Sequence, residues 1–176
     1  MVALKSLGYS MNTKDKNQLK QAYNWLMEQN KTMKPVYVGD DVIDNMISGN
    51  KAMAVVYSGD GAYIMSENED MDFFVPEQGS NVWYDSMVIT KQCKDTKLAN
   101  EFLNFMLRED VAKQNTEYVG YDSAVKSVYE YFRDDEYEGI SACAPDISNP
   151  LNETFKYQDT ELKEFCAGLW TKVKSY

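Results

Sequence analysis

The spacing of apolar residues predicts an α/β fold with a largely parallel sheet. Two observations carry that prediction: stripes of helical period, and short apolar runs that alternate with them as far as Thr90. Beyond Ile89 the pattern is helical throughout from Thr96 to Glu138.

Between Asp15 and Asn30, Leu19, Ala22, Tyr23, Leu26 and Met27 form the stripe of an amphipathic helix, with Asn12 or Thr13 as its cap. Pro35 to Val38 reads as a weak strand. Asp41 to Ile47 reads as a short helix closed by Gly49. Ala52 to Tyr57 is an unbroken apolar run, as expected of a strand buried on both faces. Ser58-Gly59-Asp60-Gly61 then turns into a helix capped by Ser58 or Asp60. It is not a phosphate loop, because Ile64 stands where a third glycine would be needed and no Gly-Lys-Ser/Thr follows.

Asp72 to Val75 is a strand stopped by Pro76, which has no N–H for a ladder, and Ser86 to Thr90 is another. Thr96 to Leu107 carries a second stripe of Leu98, Phe102, Phe105 and Met106, and Glu109 to Tyr118 is a helix closed by Gly120. Asp134 to Glu138 reads as a solvated acidic face, and Gly139 to Tyr157 as a loop. The last helix, Thr160 to Lys174, aligns Leu162, Phe165, Cys166, Leu169, Trp170 and Val173. Its acidic start and basic end suit the helix dipole. Met27, Met46, Met53 and Met106 fall on expected core faces.

With 176 residues the chain is one domain or two small lobes. It has 18 basic and 28 acidic side chains, a net charge of −10, which argues against nucleic acid and is compatible with cationic partners. Histidine is absent, which removes Ser-His-Asp and Cys-His catalysis and His-based zinc sites. Cys93, Cys143 and Cys166 contain no C-x-x-C, so one disulfide with a spare thiol and three thiols both stay open. Glu67, Glu69, Asp70 and Asp72 lack the spacing of a calcium loop. No run reaches the ~18 residues of a membrane span, and Met1 to Lys5 has no signal-peptide pattern.

The most informative local pattern is Val82-Trp83-Tyr84-Asp85-Ser86. In an extended chain Trp83 and Asp85 point the same way. An indole face beside a carboxylate suits a buried ammonium ion; the other reading is a core tryptophan next to a turn aspartate. Tyr57 closes the apolar run, where open parallel sheets bind their ligands. Tyr121 follows the helix-ending Gly120, and Gln158 precedes the last helix.

The order of these motifs resembles the C-terminal half of the spermidine/putrescine-binding proteins of polyamine ABC transporters. The resembling residues are Leu4-Lys5-Ser6-Leu7-Gly8-Tyr9-Ser10, Ile47-Ser48-Gly49, Ala54-Val55-Val56-Tyr57 and Trp83-Tyr84-Asp85-Ser86. Asn104 to Ala112 and Gly120-Tyr121 follow in the same order. The resemblance implies a type II periplasmic-binding-protein fold, in which two α/β lobes close on a ligand. Residues 1–83 and 148–176 would be the second, C-terminal lobe. Residues 84–147 would be the returning part of an incomplete first lobe. Helices meant for an absent sheet would expose apolar faces, with dimerisation, domain swapping or local disorder as the expected result.

By the same resemblance the ligand residues are Trp83, Asp85, Tyr57, Tyr121 and Gln158. Tyr57 stands where tryptophan is usual and is the weaker cation–π partner. The implied function is the extracytoplasmic solute-binding component of a polyamine importer, free of the membrane, tethered, or fused to its permease. Its partners would be a polyamine ligand and the permease. It would not be an enzyme, and no cofactor or metal is implied. Three alternatives are a binding protein for another small solute, a carboxylate-based hydrolase and a pure interaction module.

Overall fold

The computed structural model describes residues 1–136 and 148–176. Cys143 and residues 139–147 of the expected Gly139–Tyr157 loop lie outside the described residues, as do Tyr137 and Glu138 of the acidic cluster. The chain divides into two compact units. One comprises Met1–Gly39, Val75–Trp83 and Ile147–Tyr176, the other Asp40–Phe74 and Tyr84–Asp146.

The first unit is built on α1 (Val2–Ser6), α2 (Lys16–Met33) and α8 (Thr160–Lys174). Ala3, Leu4, Leu19, Ala22 and Leu162 make its core, flanked by Trp25, Leu26, Phe165, Cys166 and Leu169. Leu19, Ala22, Leu26, Leu162, Phe165, Cys166 and Leu169 are stripe residues of the two long helices, so amphipathic spacing translates into packing there. Helix α1 is too short to show a period and is not anticipated by the sequence pattern. The cap of α2 is Asp15, whose carboxylate accepts from the Asn17 N–H at 2.7 Å, rather than Asn12 or Thr13. Thr13 is engaged one step earlier, accepting from the Asp15 N–H. Asp159 caps α8 in the same way through the Leu162 N–H.

Glu153 ties three segments of this unit together. Its carboxylate accepts from Ser10 Oγ at 2.6 Å and from the Met11 N–H at 2.8 Å, and pairs with Lys5 Nζ at 2.8 Å. Its N–H donates to the Ser80 carbonyl, and its own carbonyl accepts from the Val82 N–H. The buried Lys5 ammonium also donates to the Leu151 carbonyl at 2.6 Å. Lys5, with Ser10 and the Met11 N–H, holds the Glu153 carboxyl down at about 2.

The second unit contains α3 (Asp41–Ile47), α4 (Ser58–Glu67), α5 (Thr96–Met106), α6 (Glu109–Val119) and α7 (Lys126–Tyr131). A π-helical turn, Phe132–Glu136, follows. Ala112, Val128 and Phe132 form its core. Gly120 closes α6 at φ +71, the left-handed conformation that its position required. Tyr57 occupies the N-cap of α4, and neither Ser58 nor Asp60 supplies a side-chain cap.

The expected strands do not pair. Among the described residues the β contact is one parallel bridge, Asn81 to Glu153. The runs at 35–38, 52–57, 72–75 and 86–90 are extended but outside any ladder. A strand needs at least one paired neighbour and cover on an apolar face. Met53, expected in the core, is exposed, as are Val36 and Val38. The stripe of α5 is likewise bare at Leu98, Phe102 and Phe105, whereas Met46 is buried as expected. Cys93 and Cys166 are free thiols, and burial pushes the Cys166 thiol up.

Candidate functional site

Three of the five expected ligand residues, Tyr57, Asp85 and Tyr121, fall in the second unit; Trp83 and Gln158 belong to the first. The second-unit group is organised around the start of α4. Tyr57 ends the apolar run with extended backbone (φ −72, ψ 156), so its side chain leaves the chain at the head of the helix. Gly120 ends α6 and delivers Tyr121 onto that same turn. A Cβ placed on Gly59 would lie 2.8 Å from Tyr121 Cζ. The ring therefore rests on the bare backbone of Gly59, which explains why glycine stands there.

Tyr121 is half-buried, and its phenol is pushed above the ordinary tyrosine range. Burial contributes most, followed by the negative charges of Asp60, Tyr57 and Asp85. The hydroxyl consequently stays protonated at neutral pH and can donate as well as accept. Asp60, Tyr57 and Asp85 therefore each lie within electrostatic reach of the Tyr121 hydroxyl. Among the described residues neither Asp60 nor Asp85 takes part in an ion pair.

Asp60 is the residue that sequence reasoning missed. It was expected to cap a turn, yet α4 begins without it and the carboxylate bears on Tyr121 instead. Its place three residues after Tyr57, in the first turn of a helix at the end of an apolar run, was the signal available.

In the first unit, Trp83 is partly exposed at the residue where the chain passes into the second unit, two positions before Asp85. Gln158 is half-buried immediately before the α8 cap. Its neighbour Tyr157 carries Lys163 Nζ 4.8 Å above the ring centre. Among the described residues no cluster of Cys, Asp or Glu fits a metal ion, and no helix is long and apolar enough to cross a membrane.

Gly59→Ala should displace the Tyr121 ring, because the added methyl overlaps it and the half-buried ring is the part able to yield. Tyr121 ring resonances should shift and stability should fall by about 1–3 kcal/mol. Unmoved resonances would show that the ring does not depend on the glycine.

The chain belongs to the bacterial extracellular solute-binding proteins, whose family model matches residues 1–144. Its fold is that of a type II periplasmic binding protein, and the family comprises binding proteins, not enzymes.

Among its relatives is the spermidine/putrescine-binding periplasmic protein of Escherichia coli K12. That protein is 33% identical over 122 residues, which is 68% of this chain and 34% of the relative. The putrescine/cadaverine-binding protein of Pseudomonas aeruginosa is 27% identical over 179 residues, 98% of this chain and 50% of that one. The solved spermidine/putrescine ABC transporter substrate-binding protein of Streptococcus pneumoniae superposes with a TM-score of 0.87 at 33% identity. The match covers 99% of this chain and 54% of that chain. This chain thus spans between a third and about half the length of these relatives.

Proposed function

We propose that this chain carries part of the ligand site of an extracytoplasmic polyamine-binding component that delivers to an ABC permease. The observation that carries the reading is the second-unit cluster, two carboxylates near Tyr121 that have no ion-pair partner among the described residues. A cation with apolar methylenes between its charges suits such a surface. Carboxylates neutralise ammonium groups, and ring faces attract the charge while covering the chain between them.

Asp85 and Asp60 take ammonium groups in this reading, Tyr57, Trp83 and Tyr121 line the methylenes, and Gln158 adds a hydrogen bond. The assignment of residues 1–83 and 148–176 to one lobe of a binding protein and of residues 84–147 to the other belongs to the same proposal, as does the absence of catalysis. The names of the relatives, each a polyamine-binding or polyamine-transport protein, support the ligand class. Tyr57 in place of the stronger tryptophan favours a shifted preference among cationic solutes over loss of cation binding.

The test is a titration of spermidine into the chain followed by tryptophan fluorescence, with Trp83→Phe alongside. A saturable change that disappears in the variant is expected. A response that persists unchanged in Trp83→Phe would remove Trp83 from the site. Amino acids and thiamine in the same assay should leave the signal flat, and a preference for either would replace the polyamine with another solute.

A further inference from the structure

The first unit's two ligand residues, Trp83 and Gln158, hang on one irregular stretch of chain. Residues 149–156 form no helix and make a single bridge, so hydrogen bonds from elsewhere in the unit set their course. On one side they are laced to 77–82. Asn149 Nδ2 donates to the Glu77 carbonyl at 3.1 Å, and the Ser80 N–H donates to Asn152 Oδ1 at 2.8 Å. The Glu153 N–H donates to the Ser80 carbonyl at 3.0 Å, and the Val82 N–H donates to the Glu153 carbonyl at 2.9 Å. A Cβ on Gly79 would run into the Leu151 carbonyl, so the two segments touch. Trp83 is the next residue after the last of these bonds.

On the other side the stretch has two anchors. Lys5 Nζ donates to the Leu151 carbonyl at 2.6 Å and pairs with the Glu153 carboxylate at 2.8 Å. Asn12 holds two backbone groups with one amide: its Nδ2 donates to the Thr154 carbonyl at 2.9 Å, and its Oδ1 accepts from the Lys156 N–H at 2.8 Å. The amide thus does the work of a strand neighbour. Gln158 follows two residues later. We infer that Lys5 and Asn12 are positioning residues for the ligand site: through 149–156 they fix the backbone from which Trp83 and Gln158 reach a bound cation. Side chains already held in the bound geometry lose less freedom on binding, so such anchors raise affinity without touching the ligand. The inference rests on the reading of Trp83 and Gln158 as ligand residues.

Asn12→Ala is the principal variant, because Asn12 is only half-buried and its loss leaves the Lys5–Glu153 pair in place. Asn30→Ala is the control. It also removes two side-chain bonds from the first unit, to the Val173 carbonyl and from the Tyr37 hydroxyl, neither of which involves 149–156. Calorimetric titration with spermidine should give a Kd raised about fivefold in Asn12→Ala and parent-like in Asn30→Ala. Lys5→Met, provided its melting curve is that of a folded chain, should weaken binding at least as much. In amide and indole NMR spectra the Trp83 indole N–H is identified by its loss in Trp83→Phe, and the Gln158 side-chain amide by its loss in Gln158→Leu. Both should move in Asn12→Ala and hold still in Asn30→Ala. A parent-like Kd in Asn12→Ala would overturn the inference, and so would equal weakening in Asn12→Ala and Asn30→Ala, which would make the effect one of general stability. A parent that binds no spermidine would sink the ligand reading instead. The two resonances then decide the anchoring, and unmoved signals in Asn12→Ala would remove it.

Discussion

Asp85→Asn is expected to weaken spermidine binding by roughly 10- to 150-fold, the 1.5–3 kcal/mol range of hydrogen bonds to charged groups. Asparagine keeps the shape and an acceptor oxygen but removes the charge, so the loss reports neutralisation of an ammonium group. Asp85 is exposed and has no ion-pair partner among the described residues, so the unliganded variant should melt within a few degrees of the parent. Asp60→Asn should act in the same direction. The double variant should depart from the sum of the two losses, because both carboxylates bear on the same phenol and would share one ligand. Calorimetric titration measures each step. Parent-like affinity in Asp85→Asn would end its role as the counter-charge.

Glu153→Gln should cost about 2 kcal/mol of stability and lessen the loss of stability in moderate acid. The Glu153 carboxyl is held at about 2 against its ordinary 4.5 by Lys5, Ser10 and the Met11 N–H. A carboxyl whose value is lowered on folding stabilises the fold above its unfolded value. That contribution fades as pH falls through 4.5 and is gone below about 2. The side chain is about a quarter exposed, so the full shift is not realised as stability. Glutamine also leaves the buried Lys5 ammonium short of its counter-charge. Urea unfolding of both proteins at pH 7 and pH 3 measures the difference. The parent should lose stability between those values and the variant much less; parallel losses would place the acid-sensitive group elsewhere.

Both predictions act on residues whose importance has a different origin in the chain. Asp85 entered the proposal from the sequence because Trp83-x-Asp85 states a candidate chemistry in three residues. Glu153 was not legible. It sits in a stretch of Asn, Asp, Ser and Pro, and its partners Lys5, Ser10 and Met11 lie more than 140 residues away. Asp60 failed for a related reason. A carboxylate in the first turn after glycine reads as a cap, and only its approach to Tyr121 shows that it bears on the site.

By itself the sequence determined the long helices, because a stripe with a period of 3.6 residues specifies the element; it also specified the buried face of α2 and α8, though not that of α5, whose stripe stays bare. It also determined the closure at Gly120, where a left-handed residue was required, and the family, through the order of its motifs. Which runs pair as strands was decided only in three dimensions. Pairing depends on neighbours distant in sequence, and the apolar character of Ala52 to Tyr57 records a need for cover without supplying it. The meeting of Tyr57, Asp60, Asp85 and Tyr121 was likewise settled by tertiary structure. Two turns, one closing α6 and one opening α4, had to touch through a glycine before those side chains could share a field.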